Sequence, residues 1–327
     1  MAMSWLWDGW LAPVTNPLAC LELPEDADNE ASPESMLKGL ESALRQRVQH
    51  GWVGHKQSIV RGHGLDFADL REYAPGDDIR KIDWNVFART LSPHIKEYLE
   101  EKQLTVWVFV DLTPSMFFGS HKTKARLAIE VAGLLGLLTE YGRNKLGVFV
   151  MDAEGSWMLP PKAGSEQVHL AMQRLLGAEQ HMASVVQSVP EHYFSEHLSE
   201  LARVAGKQTS VFVFSDFLTR STQWEMVLGN LSGNTNIYTA LMTDPAEEAL
   251  PANIGLIECF DPETGHVVFI DTSDSELCAL YQQKFSQRLT ELSQRLSRFS
   301  RPMTVSTTMA PVDVLVDLLA TGGRVHA

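Results

Sequence analysis

Cysteine is almost missing from this 327-residue chain: only Cys20, Cys259 and Cys278 occur, an odd number at wide spacing with no CxxC pair. That excludes a disulfide framework and a cysteine-based zinc site, and it suits a reducing compartment. Long apolar runs are also lacking. The longest, such as VWVFV and VAGLLGLL, fall well short of the roughly 18–20 residues that a membrane span needs. The opening MAMSWLWDGWLAP is apolar and aromatic but has no basic n-region and no small-residue cleavage site. Positive charge is scarce too: 27 Lys and Arg stand against 41 Asp and Glu, a formal net charge of −14. Nucleic acid and anionic membrane surfaces are poor partners for such a chain, whereas a cation or a basic partner is well matched. GxSxG, P-loop and HExxH motifs are absent. The expectation from these absences is a soluble, cytoplasmic protein that is not an enzyme.

What is present suits an ordinary globular core, with 44% hydrophobic and 21% charged residues. Residues 1–35 hold seven acidic residues and no Lys or Arg, with several prolines. They read as an arm whose Trp5, Trp7 and Trp10 dock either on the parent domain or on a partner. Helical spacing through Leu37, Leu40, Leu44 and Val48 predicts a helix over 36–49. A Gly-, Asp- and Arg-rich block then fills the segment to about residue 102.

From 103 onward strands and helices alternate. LTVWVFVD, KLGVFVMD, SWMLPP, TSVFVFSDF, NIYTALMTD and MTVSTT read as strands, and the segments between most of them as helices of ten to twenty residues. That alternation predicts an α/β fold: a doubly wound, mainly parallel sheet with helices on both faces. NIGLIECF and HVVFID, joined by a turn at Asp261–Gly265, predict a β-hairpin near 254–271. The expected organisation is an arm (1–35), a helix plus irregular β-rich block packed against the main domain (36–102), and the α/β domain (103–327).

In such a sheet, ligands bind beyond the carboxyl ends of the strands. The strand LTVWVFV runs directly into Asp111-Leu-Thr113-Pro-Ser115, so residues 111, 113 and 115 are all short oxygen donors. A hard cation such as Mg²⁺ takes oxygen ligands of this kind and leaves some positions to water. The strand SVFVFSD ends at Ser215-Asp216, which would bring a second carboxylate to the same edge. Ser165, at the start of a helix after SWMLPP, is the further candidate hydroxyl. Each of these residue types is also an ordinary helix N-cap, and that reading stands beside the metal one. The pattern Asp111-x-Thr113-x-Ser115 with Asp216 resembles the metal-ion-dependent adhesion site of von Willebrand factor A domains. There Ser is usual at the position of Thr113, and Thr at the position matched here by Ser165. The resemblance implies Mg²⁺, or another divalent cation such as Mn²⁺ or Ca²⁺, with a vacant site for an acidic side chain of a partner. A haloacid dehalogenase-type phosphatase would need an Asp at position 113, where this chain has Thr.

Residues 54–100 carry GHKQSIVRGHGLDFADLREYAPGDDIRKIDWNVFARTLSPHIKEYLE. Through Gly62, Gly64, Phe67, Arg71, Tyr73, Pro75, Gly76, Asp77, Asp78, Arg80, Asp83, Trp84, Ala88 and Arg89 this block resembles the prokaryotic family catalogued as domain of unknown function 58. The resemblance spans about residues 37–320 and includes FFGSHKTKA and DPETG. The closely spaced Arg71, Arg80 and Arg89 with Asp77, Asp78 and Asp83 make bidentate pairs feasible, and Tyr73 and Trp84 read as apolar anchors. Such a knot either docks a partner or braces the domain internally. His55 and His63 lack the neighbours a metal site needs. The resemblance implies a MoxR-type AAA+ ATPase as working partner and an adaptor role in maturing or activating client proteins. A metal-free structural scaffold and a metal-dependent hydrolase are the competing readings.

Overall fold

The computed structural model describes residues 12–13, 32–49, 67–72, 86, 89, 92, 94–98, 103–183, 189–207, 209–219, 221–251, 253–260 and 267–320. Its elements, in chain order, are β1 (Ala12–Pro13), α1 (Pro33–Gln49), β2 (Phe67–Glu72), β3 (His94–Tyr98), β4 (Thr105–Leu112), α2 (Lys124–Tyr141), β5 (Lys145–Asp152), β6 (Gly155–Lys162), α3 (Ser165–Met182), α4 (Tyr193–Val204), β7 (Thr209–Ser215), α5 (Gln223–Ser232), β8 (Thr235–Thr243), α6 (Pro245–Glu248), β9 (Leu256–Phe260), β10 (Val267–Asp271), α7 (Ser275–Leu296), β11 (Arg301–Ser306) and α8 (Pro311–Ala320).

Six strands form the central sheet in the order β11-β8-β7-β4-β5-β6. All neighbours run parallel except β5 and β6, which are antiparallel. The expected mainly parallel α/β sheet flanked by helices is therefore observed, an arrangement consistent with a von Willebrand factor A-like fold. β4 is central and buried on both faces, which is why its sequence is a continuous apolar run rather than an alternation. Val106, Val108, Val110 and Leu112 join a core with α1, α2, α3 and α8. Trp107 and Phe109 face the other way, into a core with α4, α5 and α7. By the two-residue period of a strand, Asp111 belongs to this second face.

The chain leaves β4 toward β5 and β6 on one side, then crosses back to β7 and β8 on the other. The carboxyl ends of β4 and β7 therefore flank the point where the strand order reverses, which is where doubly wound sheets open a crevice. Asp111 is at the end of β4, and Ser215 closes β7 with Asp216 next in the chain.

Outside the main sheet, β9 and β10 form the predicted hairpin, with β1 paired to the other edge of β9. The hairpin's turn residues, 261–266, lie outside the described residues. Ile257, Cys259 and Ile270 bury its inner face with Leu250. β2 and β3 pair antiparallel. α1 buries Leu37 and Leu44 in the core against α2. Among the described residues no helix is long and apolar enough to cross a membrane.

Candidate metal centre

β4 runs into a single 3-10 turn, Pro114–Phe117. Thr113 precedes that turn, but its side chain does not cap it. Both polar groups of Thr113 turn back to Asp111 instead: the backbone N–H donates to Oδ1 at 2.9 Å, and Oγ1 donates to the same oxygen at 2.6 Å. Oδ2 of Asp111 accepts from Ser215 Oγ at 2.7 Å. With its one proton committed to Asp111, Thr113 Oγ1 keeps its lone pairs for another partner. Ser115 Oγ lies 3.5 Å away from it. The helix after the loop, α2, has its own cap in Thr123, whose Oγ1 accepts from Arg126 N. The helix-cap alternative for Thr113 and Ser115 is therefore not what the loop shows.

Asp216 arrives from β7 through a strained turn. Phe217 has φ of +51°, uncommon for a bulky residue. It is held by edge-on ring contacts to Phe194 and Trp224. Ser215 Oγ accepts from Phe217 N at 2.9 Å, and Asp216 Oδ1 from Leu218 N at 3.1 Å. Strain of about 1–3 kcal/mol persists only where the surroundings over-determine it, and such positions gather at functional sites.

Burial, and then the charge of Asp216, push the Asp111 carboxyl up to about 6. Among the described residues no cation pairs with Asp111, whereas Asp216 has one. Lys124, the first residue of α2, is fully buried and donates to Asp216 Oδ2 at 2.8 Å and to Glu247 Oε1 at 2.6 Å. Desolvation works against its charge, but Asp216 and Glu247 outweigh it and hold the ammonium above its ordinary value. Burial, offset by Lys124, moves Glu247 up to about 7. Its Oε2 accepts from Asp244 N, closing a capping box on α6 in which Asp244 accepts from Ala246 N. Asp244 Oδ2 also accepts from Ser120 N and Oγ and from Thr307 Oγ1. Burial brings the Arg288 guanidinium on α7 down to about 10, with the charge of Asp216 acting against that. The sequence reading had not singled out Lys124, Glu247, Asp244 or Ser120. The pattern Asp244-Pro245-x-Glu247 is a legible cap signal, but its link to Asp216 is purely tertiary.

Of the five predicted ligands the structure brings four together: Asp111, Thr113, Ser115 and Asp216. Ser165 is a correction. β6 is antiparallel, with Asp152 opposite Gly155 at the site end and Leu146 opposite Lys162 at the other. Ser165 follows Lys162 and so lies at the far end of the sheet, roughly 20 Å away at about 3.3 Å per residue. It is exposed, and it is not a helix cap either: Gly164 holds that place. In the family block, Tyr73, Asp77, Asp78, Arg80, Asp83 and Trp84 lie outside the described residues, as do His55 and His63. Arg71 is in β2, and Arg89 is exposed.

The four clustered residues fit a hard divalent cation. They offer two carboxylates and two hydroxyls with free lone pairs, around a buried carboxyl that has no paired cation among the described residues. Thr113 and Ser115 are both buried, at 4% and 1% exposed.

Fold and site define a doubly wound α/β domain with an oxygen-rich cluster at its switch point. Within that class, the family model described as "Protein of unknown function DUF58" matches residues 69–291, and the chain belongs to this family. It is similar to an uncharacterized protein from Mycobacterium bovis and to others from two strains of Mycobacterium tuberculosis. Each is 26% identical over 232 residues, which cover 71% of this chain and 71% of the relative. A solved structure of an aerotolerance-related membrane protein from Bacteroides fragilis, with multiple mutations to serines, aligns with a TM-score of 0.33. It is 13% identical and covers 60% of this chain and 99% of its own.

Proposed function

We propose that the chain is a non-enzymatic, divalent-cation-dependent protein-binding adaptor that works in the cytoplasm. The observation that carries this reading is the buried Asp111, without a paired cation among the described residues, beside Thr113 and Ser115 at the switch point. Asp111, Thr113 and Ser115 would hold the ion, with Asp216 as the second carboxylate. A bound Mg²⁺, or Mn²⁺ or Ca²⁺, supplies a positive ligation point for a carboxylate of the partner. Asp111 fixes the Thr113 hydroxyl by accepting its hydrogen bond, and Ser215 fixes Asp111 in turn. The family resemblance supports a MoxR-type AAA+ ATPase as the partner that supplies force, with an unidentified client protein matured or activated as the result.

The test is retention of the purified ATPase on the immobilised chain, with Mg²⁺, with EDTA, and with Asp111→Ala. Retention that ignores both the chelator and the substitution sinks the cation-dependent mechanism. One observation favours a second reading, a metal-free scaffold: Lys124 already neutralises Asp216. Titration of the wild-type chain with Mg²⁺ and Mn²⁺ separates the two. A ligand that binds only the native state must raise its stability, so the scaffold reading predicts neither heat nor thermal stabilisation.

A further inference from the structure

We propose, resting on the cation reading above, that Lys124 is a resident counter-cation of this centre: it shares Asp216 with an incoming divalent ion and so sets how tightly that ion is held. Three observations carry this. First, local structure does not account for a lysine here. Lys124 stands in the first turn of α2, where a positive charge opposes the helix dipole. It is also fully buried, where an apolar residue of similar size would avoid desolvating an ammonium. Second, its bonds reach past the helix. The ammonium bridges Asp216 of the candidate centre and Glu247 of α6, at 2.8 and 2.6 Å. Third, the two carboxylates at the switch point are treated differently: Asp216 has this cation, and among the described residues Asp111 has none.

An ion seated by Asp111, Thr113 and Ser115 therefore meets one carboxylate with no cation among the described residues and one that already has Lys124. Its double charge repels the ammonium while competing for the same Asp216 carboxylate. As the ion draws on Asp216, Lys124 is left to Glu247. That residue also closes the cap on Asp244, and Asp244 is tied to Ser120 and Thr307. Occupancy is thereby transmitted to the 244–248 turn without any direct contact between that turn and the ion.

The experiment compares the full chain with Lys124→Met and with Lys124→Met/Glu247→Gln, titrating Mg²⁺ and Mn²⁺ by calorimetry. Folding is checked by circular dichroism. The double substitution removes Lys124 together with the charge of Glu247, so Asp216 alone is left without its cation and the cost to folding is smaller than in Lys124→Met. It removes the Lys124 bond from Asp216, and its affinity should exceed wild type on the order of tenfold. Amide exchange at 244–248 should respond to the ion in the wild type and not in the double variant. A folded double variant with wild-type affinity would overturn the proposal and leave Lys124 a structural strut, with the cation reading intact. If neither protein binds either ion, the cation reading itself fails and the counter-cation role falls with it. If only the double variant binds, Lys124 is a counter-cation strong enough to exclude the ion.

Discussion

Thr113 shows how one hydroxyl is prepared for ligation. Its proton is spent on Asp111 at 2.6 Å, so what it offers outward is lone pairs only. Thr113→Val keeps the shape and removes both roles. It should abolish the rise in thermal midpoint that saturating Mg²⁺ gives the wild type, a change read by differential scanning fluorimetry with and without EDTA. An undiminished rise would mean the ion sits elsewhere. Ser165→Ala is the matching control. An exposed residue at the far end of the sheet should change stability by no more than about 0.5 kcal/mol and leave the Mg²⁺-induced rise unchanged. Loss of that rise in Ser165→Ala would contradict the antiparallel placement of β6.

At the level of elements, the loop between β4 and α2 depends on Gly119. A Cβ there would overlap the backbone carbonyl of Lys122, and backbone cannot step aside as a flexible side chain would. This loop carries Ser120 to Asp244 and delivers Lys124 to Asp216. Gly119→Ala should therefore cost at least the roughly 1–3 kcal/mol typical of overpacking, measured by urea unfolding. Much of this organisation was legible in advance. Apolar runs such as KLGVFVMD marked the strands to within a residue or two, because a sheet buried on both faces leaves no polar alternation. The direction of β6 was not read, although a signal was present. Asp152-Ala-Glu-Gly155 is a tight-turn sequence in which Asp152 accepts from Glu154 N and Gly155 N. Two prolines in the following strand, Pro160 and Pro161, suit an edge. Reading that turn would have placed Ser165 at the wrong end of the sheet for a ligand. Lys124 lies within the FFGSHKTKA stretch, but its role has no local signal, because its partners lie 92 and 123 residues away in sequence.

For the whole molecule, the switch point concentrates charge that the rest of the fold must tolerate. Asp111 and Glu247 are both raised above the ordinary carboxylate range, to about 6 and about 7. A carboxyl whose folded value is raised binds its proton more tightly in the native state. Its contribution is therefore full below the unfolded value near pH 4, and is lost as pH rises through the folded value. In EDTA the thermal midpoint should accordingly fall between about pH 4 and pH 7. Asp111, raised by about two units, accounts for roughly 2–3 kcal/mol of that loss. Saturating Mg²⁺ favours the ionised form of Asp111, so it should stabilise little near pH 4.5 and most near pH 7.5, flattening the profile. Parallel profiles with and without the ion would mean that Asp111 does not feel it. A flattened profile that persists in Asp111→Asn, where position 111 no longer ionises, would assign the effect to Glu247 and the Lys124 network instead.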